Sequence, residues 1–263
     1  MGENGHPFDR HAAMPDLVLY LLPLLIGAAL GFAGGVFGIG GGVIAIPVLT
    51  NLFAMDQKLA QGTALVMMVP NLALALWRYH QRRPLPLGRT AGLVAAAMTM
   101  TALTAQYASQ LPSADLRRYF GAFLLWLGVQ ALWSLRGGGR RWKLVLPERA
   151  LPLVGAIGGT CQGLIAIGGG MIAVPLLTGL FRQPQALAQG FALALVMPSS
   201  AIALATFGQA GLVDWRMGVL LALGGAVSVS AGVRLAHGLP ERRLRVAFSL
   251  MLLFTGLWML VRG

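Results

Sequence analysis

Charge is scarce in this 263-residue chain: only 11% of residues are Asp, Glu, Lys or Arg, against 57% hydrophobic ones. A water-soluble domain carries roughly 25% charge, so a soluble globular protein is excluded and most of the chain must face lipid or other apolar helices. Acidic residues are scarcest. All eight (Glu3, Asp9, Asp16, Asp56, Asp115, Glu148, Asp214 and Glu241) fall in an expected tail or connector. That leaves no carboxylate relay for protons and no acidic cage for a cation within an apolar segment. The single cysteine, Cys161, excludes a disulfide framework, a CxxC redox pair and a Cys-based zinc site, and reads as a small buried side chain. His6, His11, His80 and His237 also lie in tails or connectors, so neither a Ser–His protease nor a metal site has its constellation. Without a general acid–base pair the chain is not expected to be an enzyme, and no cofactor is expected.

The charge that is present is basic, with a formal net value of +12. It gathers in short connectors, Arg78 to Arg89 and Arg136 to Arg149, as in cytoplasmic membrane loops, so no nucleic-acid partner is expected. Residues 1–16 read as a polar tail. Leu17 to Val36 is apolar, lacks a small-residue cleavage site and reads as a retained first helix, long enough to cross a ~30 Å hydrocarbon core. Further long segments are expected over Leu59–Trp77, interrupted at Pro70-Asn71, then over Thr90–Gln110 and Arg118–Leu135.

Glycine and proline organise the rest. The run Gly31 to Pro47, with Gly40, Gly41 and Gly42 at its centre, returns as Gly159 to Pro175 with Gly168, Gly169 and Gly170. Gly40 and Gly168, like Pro47 and Pro175, lie 128 residues apart. The same offset relates Gln61-Gly62 to Gln189-Gly190, Pro70 to Pro198, Leu111-Pro112 to Leu239-Pro240 and Gly128 to Gly256. This is an internal duplication: repeat 1 over 17–135, a basic linker over 136–148 and repeat 2 over 149–263, forming one transport-type domain. Each glycine costs about 1 kcal/mol against Ala in a helix interior, so the two runs read as interrupted membrane helices whose unwound backbone must be shielded by protein or a watery cavity. Close helix–helix packing through small residues is the competing reading. Val43 to Phe53 is too short to span, and is either a re-entrant half-helix or the second half of a broken span. The expected fold is all-α: a polytopic membrane helix bundle of eight long spans plus two short half-helices, one after each glycine run. The basic bias shifts between equivalent loops, Arg78–Arg89 against Phe207–Met217, which favours repeats of opposite orientation by the positive-inside rule; a parallel arrangement with re-entrant loops is the competing count.

With no buried charge, backbone and neutral polar groups remain to bind a substrate. A helix starting at Gly41 or Gly169 offers unpaired N–H groups and the positive end of its dipole, a ready anion site that glycine lets a ligand approach. Pro70 and Pro198 each remove an intrahelical hydrogen bond in mid-span, where Asn71, Ser199 and Ser200 either satisfy the freed groups or face the substrate. Gln61, Gln189, Thr50 and Thr178 are paired polar residues that either cap helices or reach the ligand. Arg234, with Gln106 as its counterpart, reads as a side chain snorkelling from a helix end. Gly40 to Ala45 fits G-x-G-x-x-A but lacks the strand–helix context of a nucleotide site.

The doubled runs Gly38–Pro47 and Ala166–Pro175, together with Gln61-Gly62-Thr63 and Pro70, resemble the hallmark of the sulfite exporter TauE/SafE family over Leu17 to Leu260. The chain departs from its own symmetry at Gln162, where repeat 1 has Gly34, and at Phe191, where it has Thr63. The resemblance implies a multi-pass permease of the bacterial inner membrane that exports small sulfur-containing anions such as sulfite, sulfonates or sulfoacetate. The expected partners are a small anionic substrate, membrane lipid and, as an assembly, a homodimer. The alternatives are a permease for small organic carboxylates and a non-transporting membrane scaffold or assembly factor.

Overall fold

The computed structural model describes residues 16–37, 42–82, 84–135, 146–167, 169–238 and 240–261. They form ten α-helices: α1 Asp16–Phe37, α2 Gly42–Leu52, α3 Gln57–Arg82, α4 Leu87–Gln110, α5 Ser113–Leu135, α6 Leu151–Ile165, α7 Gly170–Leu180, α8 Gln185–Gln209, α9 Trp215–Gly238 and α10 Glu241–Val261. One 3₁₀ turn, Glu148–Ala150, leads into α6. The protein is an all-α polytopic membrane bundle. Five helices, α1, α3, α8, α9 and α10, are long and apolar enough to cross a membrane. The expected eight long spans included three more: α4 and α5 do not reach that apolarity over their described lengths, and α6 has only 15 residues.

Prolines set several of the boundaries. Pro86, Pro112, Pro184 and Pro240 each precede a helix, and their carbonyls accept first-turn N–H groups from Thr90, Leu116, Ala188 and Leu244. A proline there lacks only the N–H that a helix start would leave unpaired. The basic connector expected over Arg78–Arg89 is therefore shorter: α3 continues to Arg82 and α4 begins at Leu87. Arg89 reaches Glu148 at 2.8 Å, tying the start of α4 to the turn before α6. Asp115 lies in the first turn of α5, not in the connector before it, where its charge favours the positive end of the helix dipole. Pro70 and Pro198 lie inside continuous helices, α3 and α8, so neither long segment is interrupted as the sequence suggested for Pro70.

The two short helices end alike. Ala54 (φ 50°) and Arg182 (φ 49°) both adopt the left-handed conformation, and in both turns a later N–H closes back on the helix, Met55 to Leu49 O and Gln183 to Leu177 O. An L-residue in that region costs roughly 1–2 kcal/mol. Ala54→Gly is therefore expected to raise the midpoint of thermal unfolding in detergent, by about 0.5–1 kcal/mol of stability net of glycine's extra chain entropy.

Helix partners are fixed by glycine seams. A Cβ on Gly27, Gly31 or Gly35 of α1 would run into the backbone of Leu221, Gly225 or Val229 of α9, so these helices touch backbone to backbone and run parallel. Gly155, Gly159 and Gly163 of α6 meet Leu93, Ala97 and Thr101 of α4 in the same way. These two pairings are the same contact displaced by the 128-residue spacing. α5 and α10 are antiparallel, with Gly121 near Leu260 and Gly128 near Leu253. α3 is antiparallel to α8: Thr63 meets Asp214 beyond the end of α8, while Tyr79 donates to Ala186 O at its start. α3 and α9 run parallel, since Thr63 pairs with Asp214 and Val66 with Gly218. The core that joins the halves holds Val43, Met67 and Met68 together with Ile165, Ala166 and Ile167.

Candidate functional site

The expected site lies at the two helix starts, and the second is the more fully described. α6 stops at Ile165 because Ala166, fully buried, turns left-handed at φ 52° and its N–H closes on Gln162 O. Gly169 then opens α7: its carbonyl accepts from Ile172 and Ala173. A Cβ at Gly169 would collide with the backbone of Gly158, so α6 and α7 meet at a point where only glycine fits. Gly168 lies outside the described residues. The Gly169 N–H, expected to be unpaired, donates to Gln162 Oε1 at 3.2 Å, and Gln162 Nε2 donates to Ser200 Oγ at 2.9 Å. Gln162, Ser199 and Ser200 are fully buried; the Ser199 hydroxyl has no hydrogen-bond partner.

In the first repeat Gly40 and Gly41 lie outside the described residues. Gly42, which opens α2, is buried, and a Cβ there would strike the Met68 thioether on α3. At the corresponding place in the second repeat, Gly170 has Val196 and Ala192 of α8 as its nearest neighbours, at ordinary contact distance. Met68 and Val196 are separated by 128 residues. Each short helix thus starts over the same spot on the long helix that follows it, beside Pro70 in α3 and Pro198 in α8.

The other expected residues divide. Asn71 Nδ2 donates to Met67 O, satisfying a carbonyl just upstream of Pro70. Pro47 is buried and its carbonyl accepts from Thr50 and Asn51, while Thr178 bonds back to Val174 O and Pro175 O. The two threonines are therefore tied to their own helices and cap nothing. Gln61 is fully buried with neither carboxamide atom hydrogen-bonded, whereas Gln189 is exposed in the second turn of α8. Arg234 and Gln106 are both exposed on the outer face, as a snorkelling side chain would be. Among the described residues the buried polar side chains are all neutral: Gln57, Gln61, Thr63, Thr101, Gln162, Ser199, Ser200 and Ser249. No group of three or more His, Cys, Asp or Glu among them could hold a metal ion.

A groove of about 420 Å³ between α2, α5 and α10 is lined by Val43, Pro47, Asn51, Leu124, Phe254 and Trp258 among others. Asn51 there is occupied by Pro47 O and the Trp258 indole N–H, and apart from it and Thr255 the lining is apolar or aromatic.

The family model described as sulfite exporter TauE/SafE matches residues 23–259. The chain belongs to the TauE/SafE family. It is a membrane transporter and not an enzyme. Similar proteins carry the description "Probable membrane transporter protein": one from Methanocaldococcus jannaschii is 26% identical over 92% of this chain and 97% of its own length. One from Xylella fastidiosa is 26% identical over 90% of this chain and 93% of its own. Another, from Haemophilus influenzae, is 27% identical over 60% of this chain and 62% of its own. No solved structure matches.

The departures from symmetry within this family member have a local cause. Thr63 Oγ1 accepts the Asp214 N–H at 3.0 Å. The residue 128 positions before Asp214 is Pro86, which has no N–H to give. A threonine at 191 would have no such donor to serve, and Phe191 is packed into the core instead. Gln162 and Ser200 likewise occur as a pair where repeat 1 has Gly34 and Leu72. The sequence marked Gln162 as an irregularity but carried no sign of its partner, which lies 38 residues away.

Proposed function

We propose that this TauE/SafE member is a secondary transporter of the bacterial inner membrane that exports small sulfur-containing anions such as sulfite, sulfonates or sulfoacetate. It works by alternating access around α2 and α7, within two inverted repeats that together supply eight longer helices and two short ones. The observation that carries this reading is the matched placement of the two short-helix starts, over Met68 and Val196 and beside Pro70 and Pro198. The surrounding described polar groups are neutral. A helix start supplies roughly half a positive charge and free N–H donors. With no buried carboxylate to compete, such a pair favours an anion over a cation. The sulfur chemistry and the outward direction follow the family's description.

Helix directions support the inversion. α1 parallels α9 and α9 parallels α3, so α1 and α3 point the same way. α6 parallels α8, since Gly158 lies by Leu195 and Gln162 pairs with Ser200, and α8 is antiparallel to α3. The opening helices of the two halves, α1 and α6, therefore point oppositely, as inverted halves require. Inverted halves that exchange conformations open one central site alternately to the two sides.

The test is flux of radiolabelled sulfite, thiosulfate, sulfoacetate and a carboxylate control into liposomes carrying the purified protein. Saturable flux of a sulfur anion is the expected result. Carboxylate flux alone would discard the sulfur assignment, and no flux from a folded, inserted protein would favour a scaffold.

A further inference from the structure

The two half-sites differ at several side chains, with Gln162, Ser199 and Ser200 where repeat 1 has Gly34, Asn71 and Leu72. Gln162 Oε1 already accepts the Gly169 N–H, the bond an anion's oxygen would take at the start of α7. Its other end is held by Ser200. The counterparts, Gly34 and Leu72, can make neither bond. A second observation points to a ligand at the same place. Ser199, fully buried, has a hydroxyl with no partner, and a polar group buried in that condition is costly. It shares a face of α8 with Ala192 and Val196, the side chains nearest Gly170.

We propose that Gln162 is an internal stand-in for substrate: its carboxamide oxygen fills the second anion seat, and an incoming oxyanion takes the Gly169 N–H from it, with the Ser199 hydroxyl as a further donor. The proposal rests on the anion-transport reading above. It makes Gln162 a specificity-determining residue. A neutral acceptor gains nothing by replacing another neutral acceptor, whereas a charged oxyanion makes the stronger bond and gains from the helix dipole. The seat therefore selects compact, fully ionised oxyanions.

The test compares Gln162→Ala and Gln162→Glu in proteoliposomes, reading KM for radiolabelled sulfite and thiosulfate. Removing the competing acceptor is expected to lower KM roughly tenfold, the equivalent of one to two net hydrogen bonds. The glutamate keeps the shape but places a fixed negative charge at the helix start, and is expected to raise KM by about tenfold or more. Opposite signs are the signature, because a residue that merely props the break would weaken binding in both variants. Shifts in the same direction, or no shift, overturn the proposal. If the alanine variant does not insert, Gln162→Met, of similar length and without a strong acceptor, decides in its place. A wild-type protein that moves none of the anions overturns the transport reading and this proposal with it; wild-type flux with an unresponsive KM overturns this proposal alone.

Discussion

Gly169→Ala is expected to cut anion flux to less than about a tenth of wild type, while Gly170→Ala one residue later keeps most of it. A Cβ at Gly169 meets the carbonyl oxygen, carbon and Cα of Gly158, all of them backbone. Backbone on a packed helix cannot step aside as a side chain tip does, and forcing one extra carbon into such a contact costs about 1–3 kcal/mol or more. The least disruptive relief is to lift α7 away from α6, which moves the start of α7 and its N–H groups out of place. At Gly170 the nearest atoms, on Val196 and Ala192, stand at ordinary contact distance, and alanine is the better helix former there by about 1 kcal/mol. Flux in liposomes, normalised to inserted protein, separates the two. Equal activity of both variants would show that the α6–α7 contact does not matter to transport.

Gly31→Leu and Gly159→Leu are each expected to prevent recovery of folded, monodisperse protein. Gly31 lies against the backbone of Gly225 and Gly159 against that of Ala97. Membrane helices gain nothing from hydrophobic burial relative to lipid, so close backbone packing must hold such pairs together. A leucine prises the helices apart along the whole seam, an effect in the range of the most severe single substitutions, above roughly 4 kcal/mol. Size-exclusion profiles in mild detergent, compared with the exposed Gly88→Leu, where the added carbon meets nothing, give the measurement. Normal profiles for both seam variants would show that the helices are held by other contacts.

These contrasts also show what could be read from the sequence. Packing and helix interruption were competing explanations of one glycine run, yet each holds for different residues: Gly31, Gly35, Gly159 and Gly163 pack helices, while Gly169 sits at an interruption. Composition cannot separate them, because both need a residue without a Cβ. The short helices were legible, since a glycine cluster and a proline bracket each start. Helix partners were not: a 128-residue offset says which segments are equivalent but not which lie together. The role of Gln162 was equally out of reach, because it depends on a hydroxyl brought in by another helix.

The parallel pairing of α1 with α9 also bears on how the protein is made. α1 is the first helix described and its glycine face is closed only by α9, near the other end of the chain. At roughly 5–20 residues per second, it must wait on the order of ten seconds or more in the bilayer before its partner is synthesised. Over that interval its glycine face lacks the partner that closes it in the finished bundle, so the α1–α9 seam is among the last contacts that can form.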